Sequence, residues 1–341
     1  MRNAIAIVLA FAAGVLLTGL WWNHRATQRA PASTPAVVAQ PAGASSSDAT
    51  DGDTAATGSE EGDDWPQQGP TPEQVIYAQP HMLREAIARL TPRVPNQPNL
   101  YLVAFAGDGG EDVFRNEAEY AAKLFTTRFG PSAHAIVLEN HPATLQTAPL
   151  ATLSNLDSVL GALHGVMKGD DILVLYLTTH GDEQHDLLVD MDPLPLDQIG
   201  PEDLQDLFRA HAFPWKVVVV NACYSGGFVP DLAGPGTLVL TAARSDRSSF
   251  GCGSDSDATY FGKAWLIDGL NQTDDFIDAF HRAQAQISQW EQRDKLTPSL
   301  PQISIGAGIG AQLAAWRAHV HAGAAVPFTV PAPAPAASAS Q

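Results

Sequence analysis

Four consecutive valines, Val217 to Val220, run straight into Asn221-Ala222-Cys223 and then into Ser225, Gly226 and Gly227. A short, wholly apolar, β-branched run bounded by turn formers reads as a strand buried on both faces, as in the middle of a parallel sheet. The thiol of Cys223 then stands at the carboxyl end of a central strand, where open α/β sheets carry their reactive groups. The segment Ile172–Leu177 repeats the pattern and ends in Thr178-Thr179-His180-Gly181-Asp182. If the two strands are parallel neighbours, the Cys223 thiol and the His180 imidazole meet at one edge of the sheet.

The intervening text alternates in the same manner. Strands are predicted at Leu100–Ala106, His134–Leu138, Asp171–Leu177 and Thr237–Ala242, with a short outer strand at Leu187–Val189. Helices are predicted from Thr71 to about Leu90, at Phe114–Phe129, Leu153–Met167 and Pro201–His211, and at about Tyr260–Leu270, Asp274–Gln292 and Gly308–His319. Strands separated by helices of this length imply right-handed βαβ units. The expected fold is a single α/β domain over 70–320, with a mostly parallel central sheet of about six strands flanked by helices.

The ends read differently. Ala4 to Trp22 is an apolar run long enough for a bilayer core, with a Trp pair suited to the interface. Residues 1–25 are expected to be an uncleaved membrane anchor, since the run exceeds a usual signal-peptide core and no neat cleavage site follows. Residues 26–68 form an acidic Ala/Pro/Ser linker and 321–341 an Ala/Pro tail, both expected to be disordered because they cannot bury enough apolar area. An anchor followed by such a tether suggests a domain held outside the cytoplasm, in a bacterial periplasm or its equivalent. The net charge of −18 and the absence of a Lys/Arg cluster argue against nucleic-acid binding.

With only two cysteines, Cys223 and Cys252, the chain is neither a disulfide scaffold nor a cysteine-based zinc module. A thiol becomes a strong nucleophile when ionised, and a neighbouring imidazole both promotes that state and returns a proton to the leaving amine. Cys223 and His180 are therefore the expected catalytic pair, with backbone N–H groups of Cys223 and Gly181 as an oxyanion hole. Cys252 is expected to be a buried structural thiol, with a disulfide to Cys223 left open. The stretch from His180 to His185 and Asp186 has no matching ligand set elsewhere, so no metal is expected. Neither is a cofactor: Gly107–Gly110 lacks the Lys of a phosphate loop and the dinucleotide-binding spacing, and Cys223-Tyr224-Ser225 lacks the first Gly of a serine-hydrolase elbow.

Several ordered motifs carry a family likeness. Leu177-Thr178-Thr179-His180-Gly181 resembles the His motif of the legumain (asparaginyl endopeptidase, C13) family of the caspase–legumain group, and Asn221-Ala222-Cys223-Tyr224-Ser225-Gly226 resembles its Glu-Ala-Cys-Glu-Ser-Gly. Thr241-Ala242-Ala243, Ser248-Ser249-Phe250-Gly251-Cys252 and Thr259-Tyr260-Phe261-Gly262 resemble further motifs in order, so the likeness spans roughly Asn99 to Leu270. The resemblance implies a caspase-like fold, a peptide or protein substrate, Cys223 as nucleophile and His180 as general base and acid. It implies Arg115, Ser248 and Ser249 as substrate-binding residues.

Departures fall in the same pocket. The family's Glu two residues before the Cys is Asn221 here, its pocket Asp is Lys263, and the Asn that orients the His is Val113. These leave nucleophile and base intact and bear on cleavage after Asn or Asp, the preference that the resemblance implies through Arg115. Three readings follow: a cysteine endopeptidase, a transpeptidase or transamidase of the same family, and an inactive relative that binds peptides. The sequence leaves the oligomeric state open.

Overall fold

The computed structural model describes residues 65–66 and 69–330. The expected anchor, nearly all of the linker and the tail beyond 330 lie outside the described residues. No helix among the described residues is long and apolar enough to cross a membrane.

Helix α1 (Pro72–Ala88) starts where Thr71 and Gln74 cap each other: the Thr71 hydroxyl accepts from the Gln74 N–H, and the Gln74 side chain accepts from the Thr71 N–H. Strand β1 (Leu100–Ala106), helix α2 (Asp112–Arg128), strand β2 (Ala133–Glu139), helix α3 (Leu153–Val166) and strand β3 (Ile172–Thr178) follow. Then come α4 (Pro201–Ala210), β4 (Lys216–Asn221), β5 (Thr237–Thr241), α5 (Phe276–Asp294), β6 (Gln302–Ile305) and α6 (Ile309–Arg317). The strands form one sheet in the order β2-β1-β3-β4-β5-β6. All neighbours are parallel except β5 and β6, which are antiparallel.

The sequence reading of a mostly parallel six-stranded α/β sheet is borne out, with one exchange of strands. Leu187 makes only isolated bridges, to Gly181 and to Ile199, and no outer strand forms there. The sixth strand is β6, whose four residues are half-exposed or exposed and so lack the continuous apolar signal of a buried strand.

Every residue of β1, β3 and β5 is buried, and the pleat divides them between two cores. Leu102, Val174, Tyr176, Val217, Val219 and Leu240 pack under α2, α5 and α6. Val103, Phe105, Leu175, Val218, Val220 and Val239 pack under α3 and α4. The first core includes Trp265, which stacks parallel to both Tyr176 and Phe261 with ring centroids 6.1 Å apart. Trp265 lies in a π-helical turn, Gly262–Gly269, where the sequence pattern predicts an ordinary helix.

The chain after 320 also differs from its reading as a disordered tail, as far as residue 330. It forms no helix or strand, but its backbone groups are used. Tyr120 and Asn271 donate to the Val326 carbonyl, and the Asn271 side chain accepts from the Val326 N–H. Phe328 packs edge-on against Tyr120. The Ala/Pro-rich composition predicts the lack of regular structure, whereas docking is decided by Tyr120 on α2 and by Asn271.

Trp265→Ala is expected to cost about 3–5 kcal/mol of unfolding free energy in chemical denaturation, because a large buried ring leaves a cavity. Tyr77→Ala, on the outer side of α1 and 78% exposed, stays within about 0.5 kcal/mol.

Candidate active site

The register of the two central strands fixes the geometry. Thr178 of β3 pairs with Asn221 of β4, so His180 and Cys223 each lie two residues beyond the same rung. The Thr179 N–H continues the ladder to the Asn221 carbonyl. Beyond it the two chains stay in contact: a Cβ on Gly181 would fall 2.4 Å from the Cys223 carbonyl oxygen. Only glycine allows that approach.

The thiol is partly exposed and well supplied with donors. The Ser249 N–H lies 3.2 Å from Sγ and the Ser249 hydroxyl 3.5 Å from it. The Cys252 thiol hydrogen-bonds to it, and this contact, then those of Ser249 and the charge of His180, hold Cys223 down to about 5 against the opposing effect of burial. The same pairing, with burial, pushes Cys252 far above the ordinary thiol range. Both cysteines are free. Cys252 is thus half-buried and engaged with Cys223 as a free thiol, whereas the sequence reading prefers a buried structural thiol and leaves a disulfide to Cys223 open.

His180 is held from two sides. Phe114 meets its ring edge-on at 5.0 Å, and Asp108 Oδ2 lies 3.5 Å from Nε2. Asp108 is nearly buried and is fixed by the Gly110 N–H. It is the neighbour of His180 that the motifs miss. Val113, at the position of the family's orienting Asn, is buried in the core from the first turn of α2 instead. The available signal is topological: Asp108 follows β1, which neighbours β3, so it emerges at the same edge.

Beneath the site lies a buried carboxylate. Glu117 on α2 accepts from Tyr176, Thr178 and Asn221 and from both the hydroxyl and the N–H of Thr259. Burial raises the Glu117 carboxyl above the usual range, and these bonds pull it back. Asn221 is consumed by this hub: its amide also donates to Tyr176, Thr178 and Thr259, and the residue is buried.

The other expected substrate-binding residues separate. Ser249 touches the thiol, whereas Ser248 is exposed beside it. Arg115 is buried and turned toward the β2 side, where it contacts His141 at 3.0 Å and Glu119 at 3.9 Å. Burial and the nearby Glu119 push Glu139 in the same cluster up to about 7. Lys263 is exposed at the start of the π-helical turn. Among the described residues no three His, Cys, Asp or Glu side chains gather as a metal site.

A mostly parallel six-stranded α/β sheet flanked by helices is consistent with the caspase-like class of folds. Residues 155–311 match the model of the Peptidase C13 family, so the resemblance read from the motifs is borne out. The match takes in His180, Cys223 and the motifs up to Gly262; Asp108 and Arg115 precede it. No curated protein matches the sequence. The family match indicates cysteine-type peptidase activity.

Glu117→Gln would place an amide N–H₂ against either the Thr259 donors at Oε1 or those of Tyr176, Thr178 and Asn221 at Oε2, and is expected to destabilise the fold by about 1–3 kcal/mol in denaturation. Cys252→Ala removes the largest influence favouring the thiolate. The pH inflection of Cys223 alkylation should therefore move upward from about 5, and alkylation at pH 6 should slow.

Proposed function

We propose that the chain is a cysteine endopeptidase that cleaves peptide bonds through a thioester on Cys223. The observation that carries this reading is the strand register that sets Cys223 and His180, the latter 3.5 Å from Asp108, level with each other at the carboxyl ends of adjacent parallel strands. The Cys223 thiolate attacks the scissile carbonyl, and the oxyanion forms against backbone N–H groups at Cys223 and Gly181. Protonated His180 then donates to the departing amine. Neutral His180 next takes a proton from water, which attacks the thioester and releases the acid. Asp108, at Nε2, keeps the ring oriented and leaves Nδ1 to exchange the proton.

Selectivity in this scheme departs from asparaginyl cleavage. The Asn221 amide has its hydrogen bonds within the Glu117 hub, and Arg115 faces His141 and Glu119. Ser249, Ser248 and Lys263 are left as the substrate-binding residues nearest the reading drawn from the motifs. The substrate is a peptide or protein segment, and the apolar run at Ala4 to Trp22 would tether the domain to a membrane, on its extracytoplasmic side.

In the full-length protein, Cys223→Ala should abolish labelling by an acyloxymethylketone probe and lower turnover of a peptide library at least about 1,000-fold, with the thermal transition kept. Asp108→Ala should lower kcat on the order of ten- to hundredfold with KM little changed. Turnover that survives Cys223→Ala removes the proposal. Product masses with added amines separate hydrolysis from transfer to an amine.

A further inference from the structure

His185 is one of two histidines in the His180–Asp186 stretch. Asp182 winds the loop into a tight turn, its Oδ1 accepting from the N–H groups of Gln184 and Asp186 while its carbonyl accepts from the His185 N–H. The turn leaves His185 in the left-handed region at φ 68° and half-buried.

From there the ring crosses to the other half of the site. His185 Nδ1 lies 3.0 Å from the carbonyl oxygen of Tyr224, the residue after Cys223. A carbonyl can only accept, so Nδ1 carries the hydrogen. Tyr224 is itself left-handed at φ 54°, with its N–H on the Arg247 carbonyl and its own carbonyl also accepting from Gly227. Two non-glycine residues in this region hold a costly backbone that persists only where surrounding contacts fix it. The His185 ring occupies the space beside Gly227, where a Cβ would fall 2.1 Å from ring Cγ. No larger residue fits at 227 while the ring is in place.

We propose that His185 is a positioning residue: its imidazole, seated on Gly227 and bonded to the Tyr224 carbonyl, clasps the His180 loop to the Cys223 loop and sets the separation of imidazole and thiol. The proposal rests on the peptidase reading, because it assigns His185 a role in the geometry of that site. His185 does not touch the reacting atoms. It follows His180 on one loop, and its acceptor follows Cys223 on the other, so breaking the clasp lets the pair drift apart. A misplacement of about 1 Å suffices for a loss on the order of a hundredfold.

The test uses the full-length chain, with peptide turnover and site-resolved iodoacetamide alkylation of Cys223 read by peptide mass against pH. His185→Ala should lower kcat about ten- to hundredfold with KM within about twofold, and should raise the alkylation inflection of Cys223. His185→Gln, which keeps an N–H donor, should return kcat to within about threefold of wild type. Gly227→Ala should reproduce the kcat loss by displacing the ring, yet cost little further in the His185→Ala background, where the space is empty. That coupling is read below the thermal transitions of all variants, so a fall in stability alone does not mimic it. An unchanged kcat and inflection in His185→Ala, or an equal cost of Gly227→Ala in both backgrounds, overturns the clasp alone. A wild-type Cys223 that alkylates like an ordinary thiol overturns the peptidase reading and the clasp with it.

Discussion

The carboxylate of Glu117 has no solvent, and everything at the centre of this fold is arranged to compensate for that. A buried acid is tolerated only when its lone pairs are met by donors. Here those donors come from β3 through Tyr176 and Thr178, from β4 through Asn221, and from the segment before the π-helical turn through Thr259. Because the donors come from three different elements, satisfying the carboxyl group fixes α2, two central strands and that segment relative to one another. The hub sits two residues before His180 on one strand and two before Cys223 on the other, so it also anchors the roots of both loops.

Above that anchor the chemistry depends on short contacts between loops that leave neighbouring strands. The Gly181 backbone lies against the Cys223 carbonyl, Asp108 reaches His180 from the β1 side, and Ser249 and Cys252 reach the thiol from beyond β5. Three strands and the segment following a fourth thus converge on one edge of the sheet. A thiol surrounded by donors and one imidazole ionises more readily than burial alone would allow.

Much of this was legible in the residue order. The strands β1, β3, β4 and β5 are continuous apolar runs because both of their faces are covered, and β2 reads nearly as well. Helix boundaries followed from Thr71 with Pro72, from Gly200 with Pro201 and from amphipathic spacing. Where the reading failed, the local signal was weak: β6 is a short, half-exposed edge strand, and Leu187 has an apolar environment but only isolated bridges. The segment to residue 330 reads as tail because its order comes from Tyr120 and Asn271 rather than from its own composition.

The sequence by itself determined the alternation of strands and helices and the strand ends just beyond which His180 and Cys223 stand. These depend on periodicity and on parallel pairing, which are properties of neighbouring residues and of connection rules. Tertiary structure alone decided that Asn221 serves a carboxylate 104 residues away, that Arg115 turns to His141, that Asp108 rather than residue 113 faces the imidazole, and that Cys252 meets Cys223. The reason is physical: a polar side chain takes whichever partner satisfies it once elements distant in the chain have packed, and no local pattern carries that information.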